Sequence, residues 1–128
     1  MYADDHASQR LGIAISDIGP GRATATMTVT DEMVNGHGIG HGGYTFTVAD
    51  TAFAFACNTY NDRTVASGAD VSFLSPVHAG DELIAVAVER SRRGRSGLYD
   101  VTVRVADGTI VSEFRGRSRS LGIPMISD

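Results

Sequence analysis

The stretch HGIGHGGYTFTVAD, residues 37–50, places four glycines and two histidines ahead of an apolar run that closes on one aspartate. Three kinds of chemistry use residues of these types. Gly38, Gly40 and Gly43 satisfy the G-x-G-x-x-G spacing of a dinucleotide loop. That loop needs a strand directly before it and a βαβ unit around it, whereas DEMVN precedes these glycines and the later segments read as antiparallel hairpins. His37 and His41 stand four apart, as metal ligands on a helix face do. The glycines between them oppose a helix there, and no third ligand follows at a recognisable spacing, so no metal is expected. In the third reading Gly42 and Gly43 open a helix. Glycine lets a ligand approach the unpaired amides of a first turn, and those amides with the helix dipole favour developing negative charge. Asp50 is then the sole charge on that helix. A carboxylate in an apolar segment is costly unless it is partnered and is a functional-site candidate; the structural alternative is a buried capping acceptor.

The helix that must carry these groups runs from about Gly42 to Cys57. Tyr44, Phe46, Val48, Ala49, Ala52, Phe53, Phe55 and Ala56 cover nearly every side of it, the pattern of a buried helix. Ahead of it, Ala23, Ala25, Met27 and Val29 alternate with Thr24, Thr26, Thr28 and Thr30 after a GPG turn, which predicts a half-buried antiparallel strand. After the loop NTYNDR come TVASGADVSFLSP, DELIAVAVERS, GLYDVTVRVA and TIVSEFRGRSRS, strand-like runs separated by HAGD and by Asp107-Gly108. Strand, long apolar helix, then three or four strands predicts an α+β chain with a sheet curled around one helix.

Spacing constrains how the site is assembled. Gly42 and Asp50 lie eight residues apart, roughly 12 Å along a helix axis, too far for one carbonyl to touch both. Two antiparallel copies of the helix would set each N-terminus against the partner's Asp50, giving two equivalent sites in a twofold dimer.

Composition bounds the rest. At 128 residues the chain is expected to be one domain, 1–128, able to bury a core without staples. A net charge of −4 argues against general nucleic-acid binding. Cys57 is the lone cysteine, so no intrachain disulfide forms and a reducing, cytoplasmic setting is expected. The acidic start MYADDHASQR is unlike a secretory signal, and no apolar run is long enough to span a membrane.

NGHGIGHGGYTFTVADTAFAFACN, with VASGADVSFLSP, AGDEL, GLYDV and FRGRS, resembles the PaaI-type thioesterases of the hot-dog superfamily, from about Leu11 to Gly122. The resemblance implies the hot-dog fold, a curved antiparallel sheet wrapped around a long helix, and hydrolysis of acyl-CoA thioesters, with aryl groups such as phenylacetyl expected. By position it implies Asp50 as catalytic acid, acting as base on water or as nucleophile. It makes the Gly42 amide the oxyanion donor, and Asn35 and His41 polar residues lining the thioester. Gly43, Thr51 and Ser67 follow as substrate-side residues. No cofactor is implied beyond the coenzyme A of the substrate itself. Similar proteins assemble as homodimers or homotetramers with sites at the dimer interface. A basic rim for the CoA phosphates is expected among Arg90, Arg92, Arg93, Arg95, Arg115, Arg117 and Arg119, and Tyr44, Phe46, Phe53 and Phe55 are candidates for an apolar acyl pocket. A hot-dog hydratase or dehydratase, or a noncatalytic acyl-CoA binding module, is the competing expectation.

Overall fold

The computed structural model describes residues 1–126. A short helix α1, His6–Arg10, is capped by Asp5, whose side chain accepts from the Ser8 amide. The strands are β1 Ala14–Gly19, β2 Arg22–Thr28, β3 Thr64–Phe73, β4 Glu82–Arg93, β5 Ser96–Arg104 and β6 Ile110–Ser120. The long helix α2 spans Gly42–Cys57. All strand pairs are antiparallel, in the order β1-β2-β4-β5-β6-β3.

One sequence expectation needs adjusting. The segment before α2 makes a hairpin, β1 and β2, rather than one strand. Pro20 and Gly21 form its turn. Proline fixes the first φ, and Gly21 takes φ +71, the pairing a type II turn requires. The alternation read from residues 23–29 holds: Ala23, Ala25, Met27 and Val29 are buried.

The helix lies in the concavity of the sheet because the strands offer it small residues. Ala23 pairs with Ala87, and Ala25 with Ala85. All four are fully buried, as are Ala49, Ala52 and Ala56 on the helix, so the backbones approach closely. Gly116 on β6 extends this logic: a Cβ built there would meet the Phe53 ring at 2.8 Å. Phe53 itself is wedged between Tyr99 and Phe114, ring centroids 5.6 and 5.8 Å away. Full burial of such a ring contributes about 1.5–3 kcal/mol.

The two sheet edges differ. β1 is interrupted by Asp17 at φ +49, with a register break between Ser16 and Gly19. β3 is longer, and its exposed residues include Val65, Ala66 and Phe73, with Leu74 just beyond. Among the described residues, no helix is long and apolar enough to cross a membrane.

Candidate active site

The loop ahead of α2 is tied down by its own polar groups. The Asn35 side-chain oxygen accepts from the amides of His37 (2.9 Å) and Ile39 (3.3 Å). That leaves the Asn35 amide NH2 as the part of this side chain available to a ligand. His41 donates its backbone N–H to the Met33 carbonyl at 2.7 Å, which fixes where the helix starts.

His41 is the N-cap. Its Nδ1 accepts from the Gly43 amide at 3.3 Å, and its carbonyl accepts from the Tyr44 amide at 3.0 Å. An imidazole whose Nδ1 accepts carries its proton on Nε2 in the neutral ring, so a donor is left facing outward. With Gly43 and Tyr44 spent on the cap, the Gly42 N–H is the first-turn amide with no acceptor among the described residues. It opens on a cleft of about 330 Å³ lined by Ile39, Gly40, Gly42, Thr45, Phe73 and Leu74, closed by Ser75–Val77 and Val111. Gly42 suits this place because a Cβ there would stand 3.0 Å from the Phe73 ring.

Asp50 sits two turns on. The sheet buries Thr45, Val48, Ala49, Ala52, Phe53, Phe55 and Ala56 but leaves one stripe, through Gly43, Phe46, Thr47, Asp50 and Ala54, partly open. Asp50 is therefore half-buried in the single chain, not enclosed as an all-apolar helix suggested. None of the hydrogen bonds or ion pairs among the described residues reaches its carboxylate. Burial without a partner pushes its pKa upward. Phe46, one turn earlier, packs edge-on to Phe114 at 5.3 Å, and Phe114 pairs with Val71 of β3. The Asp50 stripe thus looks toward the β3 edge, as Gly42 does through Phe73.

The other nominated residues have local duties. Gly43 is exposed and its amide serves the cap. Thr51 is buried, and its hydroxyl donates to the Thr47 carbonyl at 2.8 Å. Ser67 occupies the β3 bulge between Ala66 and Gly68 and donates to the Arg117 carbonyl at 3.2 Å. Of the four candidate pocket aromatics, Phe53 and Phe55 belong to the core, Phe55 lying against Tyr2. Phe53 faces the sheet, whereas Phe55, on the opposite side of the helix, borders a separate cavity of about 600 Å³ with Tyr2, Ile18 and Asn58, away from Gly42. Phe73, which sequence reasoning passed over as a strand end, lines the Gly42 cleft instead. Cys57 offers no nucleophile: burial pushes its thiol up to about 12. No metal-binding cluster of His, Cys, Asp or Glu occurs among the described residues.

Known proteins share this fold and much of this sequence. The thioesterase superfamily profile matches residues 37–112. The acyl-coenzyme A thioesterase PaaI of Escherichia coli K12 is 43% identical over 95% of this chain and 87% of its own length. The solved structure of the E. coli PaaI protein superposes with a TM-score of 0.95, covering 97% of this chain and 90% of that one. A variant of the phenylacetic acid degradation protein PaaI from Thermus thermophilus is 32% identical. It superposes with a TM-score of 0.87, covering 91% of this chain and 100% of that one. A six-stranded antiparallel sheet around one long helix, with the glycine-opened N-terminus and the acid two turns in, places this chain in the thioesterase superfamily as a hot-dog enzyme of PaaI type.

Proposed function

We propose that the chain hydrolyses acyl-CoA thioesters, preferring compact aryl acyl groups, at two equivalent sites of a twofold dimer. The Gly42 N–H stabilises the oxyanion, and the partner's Asp50 supplies the attacking oxygen, either by deprotonating water or by direct attack. The carrying observation is a pair of groups on one helix, a Gly42 amide with no acceptor and a half-buried Asp50 carboxylate with no donor among the described residues, both toward the β3 edge.

A bare edge strand with exposed Val65 and Phe73 is a template for pairing. Antiparallel pairing of two β3 strands extends the sheet and sets the two α2 helices side by side in opposite directions, bringing each Gly42 toward the other Asp50. A donor of this kind is worth about 2.7–4 kcal/mol in the transition state. In this reading Asn35, through its NH2, and His41, through Nε2–H, line the thioester from the Gly42 side, which the engagement of the Asn35 oxygen and His41 Nδ1 by backbone amides supports. Thr51, buried by its back-bond to the helix, shapes the site from within, and Ser67 acts from the edge strand. Coenzyme A enters as part of the substrate.

The acyl preference rests on the cleft and on kinship. At about 330 Å³ it lies at the small end of ligand pockets, and its walls are Phe73, Leu74, Ile39 and Val77. The E. coli relative comes from a phenylacetic acid degradation operon. The test is kcat/KM for phenylacetyl-, benzoyl-, acetyl- and palmitoyl-CoA, followed by thiol release. An aryl ester should lead. Faster turnover of palmitoyl- or acetyl-CoA than of both aryl esters overturns the acyl assignment, and absence of thiol release from all four overturns the thioesterase reading.

A further inference from the structure

The glycines of the loop NGHGIGHGG, residues 35–43, serve different ends. Gly38 turns the chain at φ +76, and a Cβ on Gly36 or Gly38 would meet nothing within 4 Å. Gly40 has no such turn to make, since its φ lies outside the left-handed region. What it lacks is room for a side chain. A Cβ built on Gly40 would overlap the Val77 Cγ2 methyl. Its next neighbours, the Val77 carbonyl oxygen at 3.4 Å and Val29 Cγ1 at 3.6 Å, are ordinary contacts. The Val77 side chain is thus seated in the notch that the missing Gly40 side chain leaves.

Neither side of this contact is free to slide. Gly40 donates its N–H to the Val77 carbonyl at 2.7 Å and forms an antiparallel bridge with Val34. Its neighbours are fixed as well: the Asn35 N–H donates to the Ile39 carbonyl at 2.8 Å, and the His41 N–H to the Met33 carbonyl at 2.7 Å. The segment carrying Val77 is anchored before and after it. The Leu74 N–H donates to the Val111 carbonyl at 2.8 Å, and the Gly80 N–H to the Val29 carbonyl at 2.8 Å. Val77 itself is buried. Close-packed walls pinned in this way pass on a change of one methyl rather than absorb it.

Gly40 and Val77 both line the cleft of about 330 Å³ onto which the Gly42 amide opens. One extended residue, His41 at φ −64 and ψ 130, links Gly40 to that amide, so a displacement at Gly40 reaches Gly42 directly. We propose that the Gly40–Val77 contact sets the bore of the acyl cleft. Val77 limits the bulk of the acyl group, and Gly40 lets Val77 seat without displacing the Gly42 amide. Val77 is then a specificity-determining residue and Gly40 a positioning residue that acts through Val77 and Gly42. The inference rests on the reading above that this cleft takes the acyl group. It does not need the shared dimer site, because both residues belong to the chain that supplies Gly42.

Val77→Ala takes two methyl groups off the cleft wall and leaves the backbone hydrogen bonds in place. One methylene more or less in an apolar pocket changes selectivity about 10–200-fold. V77A should therefore favour at least one of the ortho-, meta- and para-methylphenylacetyl-CoA esters, raising its kcat/KM relative to phenylacetyl-CoA about tenfold or more. Each ratio is measured on one preparation, so any loss of folded protein cancels from it. Ratios unchanged for all three esters overturn the proposal, whether or not a Gly40 variant folds. Gly40→Ala alone should lower kcat for phenylacetyl-CoA about tenfold or more, by moving the Gly42 amide. In the V77A background the colliding methyl is gone, and adding G40A should change kcat by no more than about twofold. A G40A loss equal in both backgrounds, or no loss in either, overturns the contact. Failure of the parent reading looks different: wild type then releases no thiol from any of the four esters. In that case the calorimetric Kd ratios for the same esters replace kcat/KM. A shift of about tenfold in V77A upholds the proposal, and unchanged ratios overturn it.

Discussion

His41 holds two posts, and they can be separated. Its Nδ1 caps α2 by accepting the Gly43 amide, and its Nε2–H is the donor that the proposed site uses. Losing a side-chain cap costs about 0.5–2 kcal/mol. Here the bond is 3.3 Å long and exposed, so His41→Ala should cost about 0.5–1 kcal/mol of unfolding free energy in a urea titration. Asparagine is a strong N-cap, so His41→Asn should recover that stability. It should not recover activity, because its reach and donor position differ from Nε2–H. A donor aimed at the developing oxyanion is worth about 10²–10³ in kcat, and both variants should fall toward that range with phenylacetyl-CoA. Recovery of kcat by Asn would leave His41 as a cap alone. An Ala variant unchanged in both stability and kcat would refute the cap geometry itself and, with it, the argument that leaves Gly42 as the unpaired amide.

Asp50→Asn should nearly abolish hydrolysis, and its stability should depend on pH in a specified direction. Burial raises the Asp50 pKa above its ordinary 3.8, so ionisation opposes folding. Wild type carries no such penalty below the unfolded value, near 3.8, and acquires it as pH rises through the folded value. The Asn variant should therefore be the more stable protein at neutral pH, with the gap closing on acidification below about pH 4; a gap that widens there would contradict the assignment. In wild type the acidic limb of kcat/KM should lie above the usual carboxylate range for the same reason. Gly116→Ala forces a methyl to 2.8 Å from a pinned Phe53 ring, where carbon contacts prefer about 3.5–4.0 Å. It should cost about 1–3 kcal/mol; a denaturation midpoint within error of wild type would show that helix and sheet are less tightly seated than described.

Much of the scaffold was legible in the residues. Gly42 and Cys57 bound the helix as its apolar run predicts, and the alternation at 23–29 gives the buried face of β2. The order of elements predicted a sheet curled around the helix, and the resemblance agreed; the crossing of β3 to the far edge, where it pairs with β6, joins residues distant in sequence and was not legible. The site was legible as residue types, less so as duties. His41 as N-cap escaped the propensity rule, which favours Ser, Thr, Asp and Asn. Thr51 and Ser67 read as site residues by position, while their hydroxyls are engaged with backbone carbonyls. Aromatic content suggested a ring-lined pocket. Yet the packing decides otherwise: Phe53 is buried against the sheet, Phe55 against Tyr2 of the N-terminal segment, and Phe73 lines the Gly42 cleft. Charge was legible only in sum: the acids that neutralise Arg90, Arg115 and Arg117 lie on other strands, Asp70 and Asp100, and only the register brings them together.

The sharing of one site between two chains is tested most directly by complementation. Asp50→Ala removes the carboxylate, and Gly42→Val fills the helix N-terminus, where even a Cβ stands 3.0 Å from Phe73. Homodimers of either variant should fall on the order of a hundredfold or more below wild type. In a purified heterodimer the Asp50→Ala chain still offers its Gly42 amide and the Gly42→Val chain its Asp50, so one site of two is intact. Phenylacetyl-CoA hydrolysis should return to about half the wild-type rate per dimer. A verified heterodimer no more active than either homodimer would contradict a site shared across the interface.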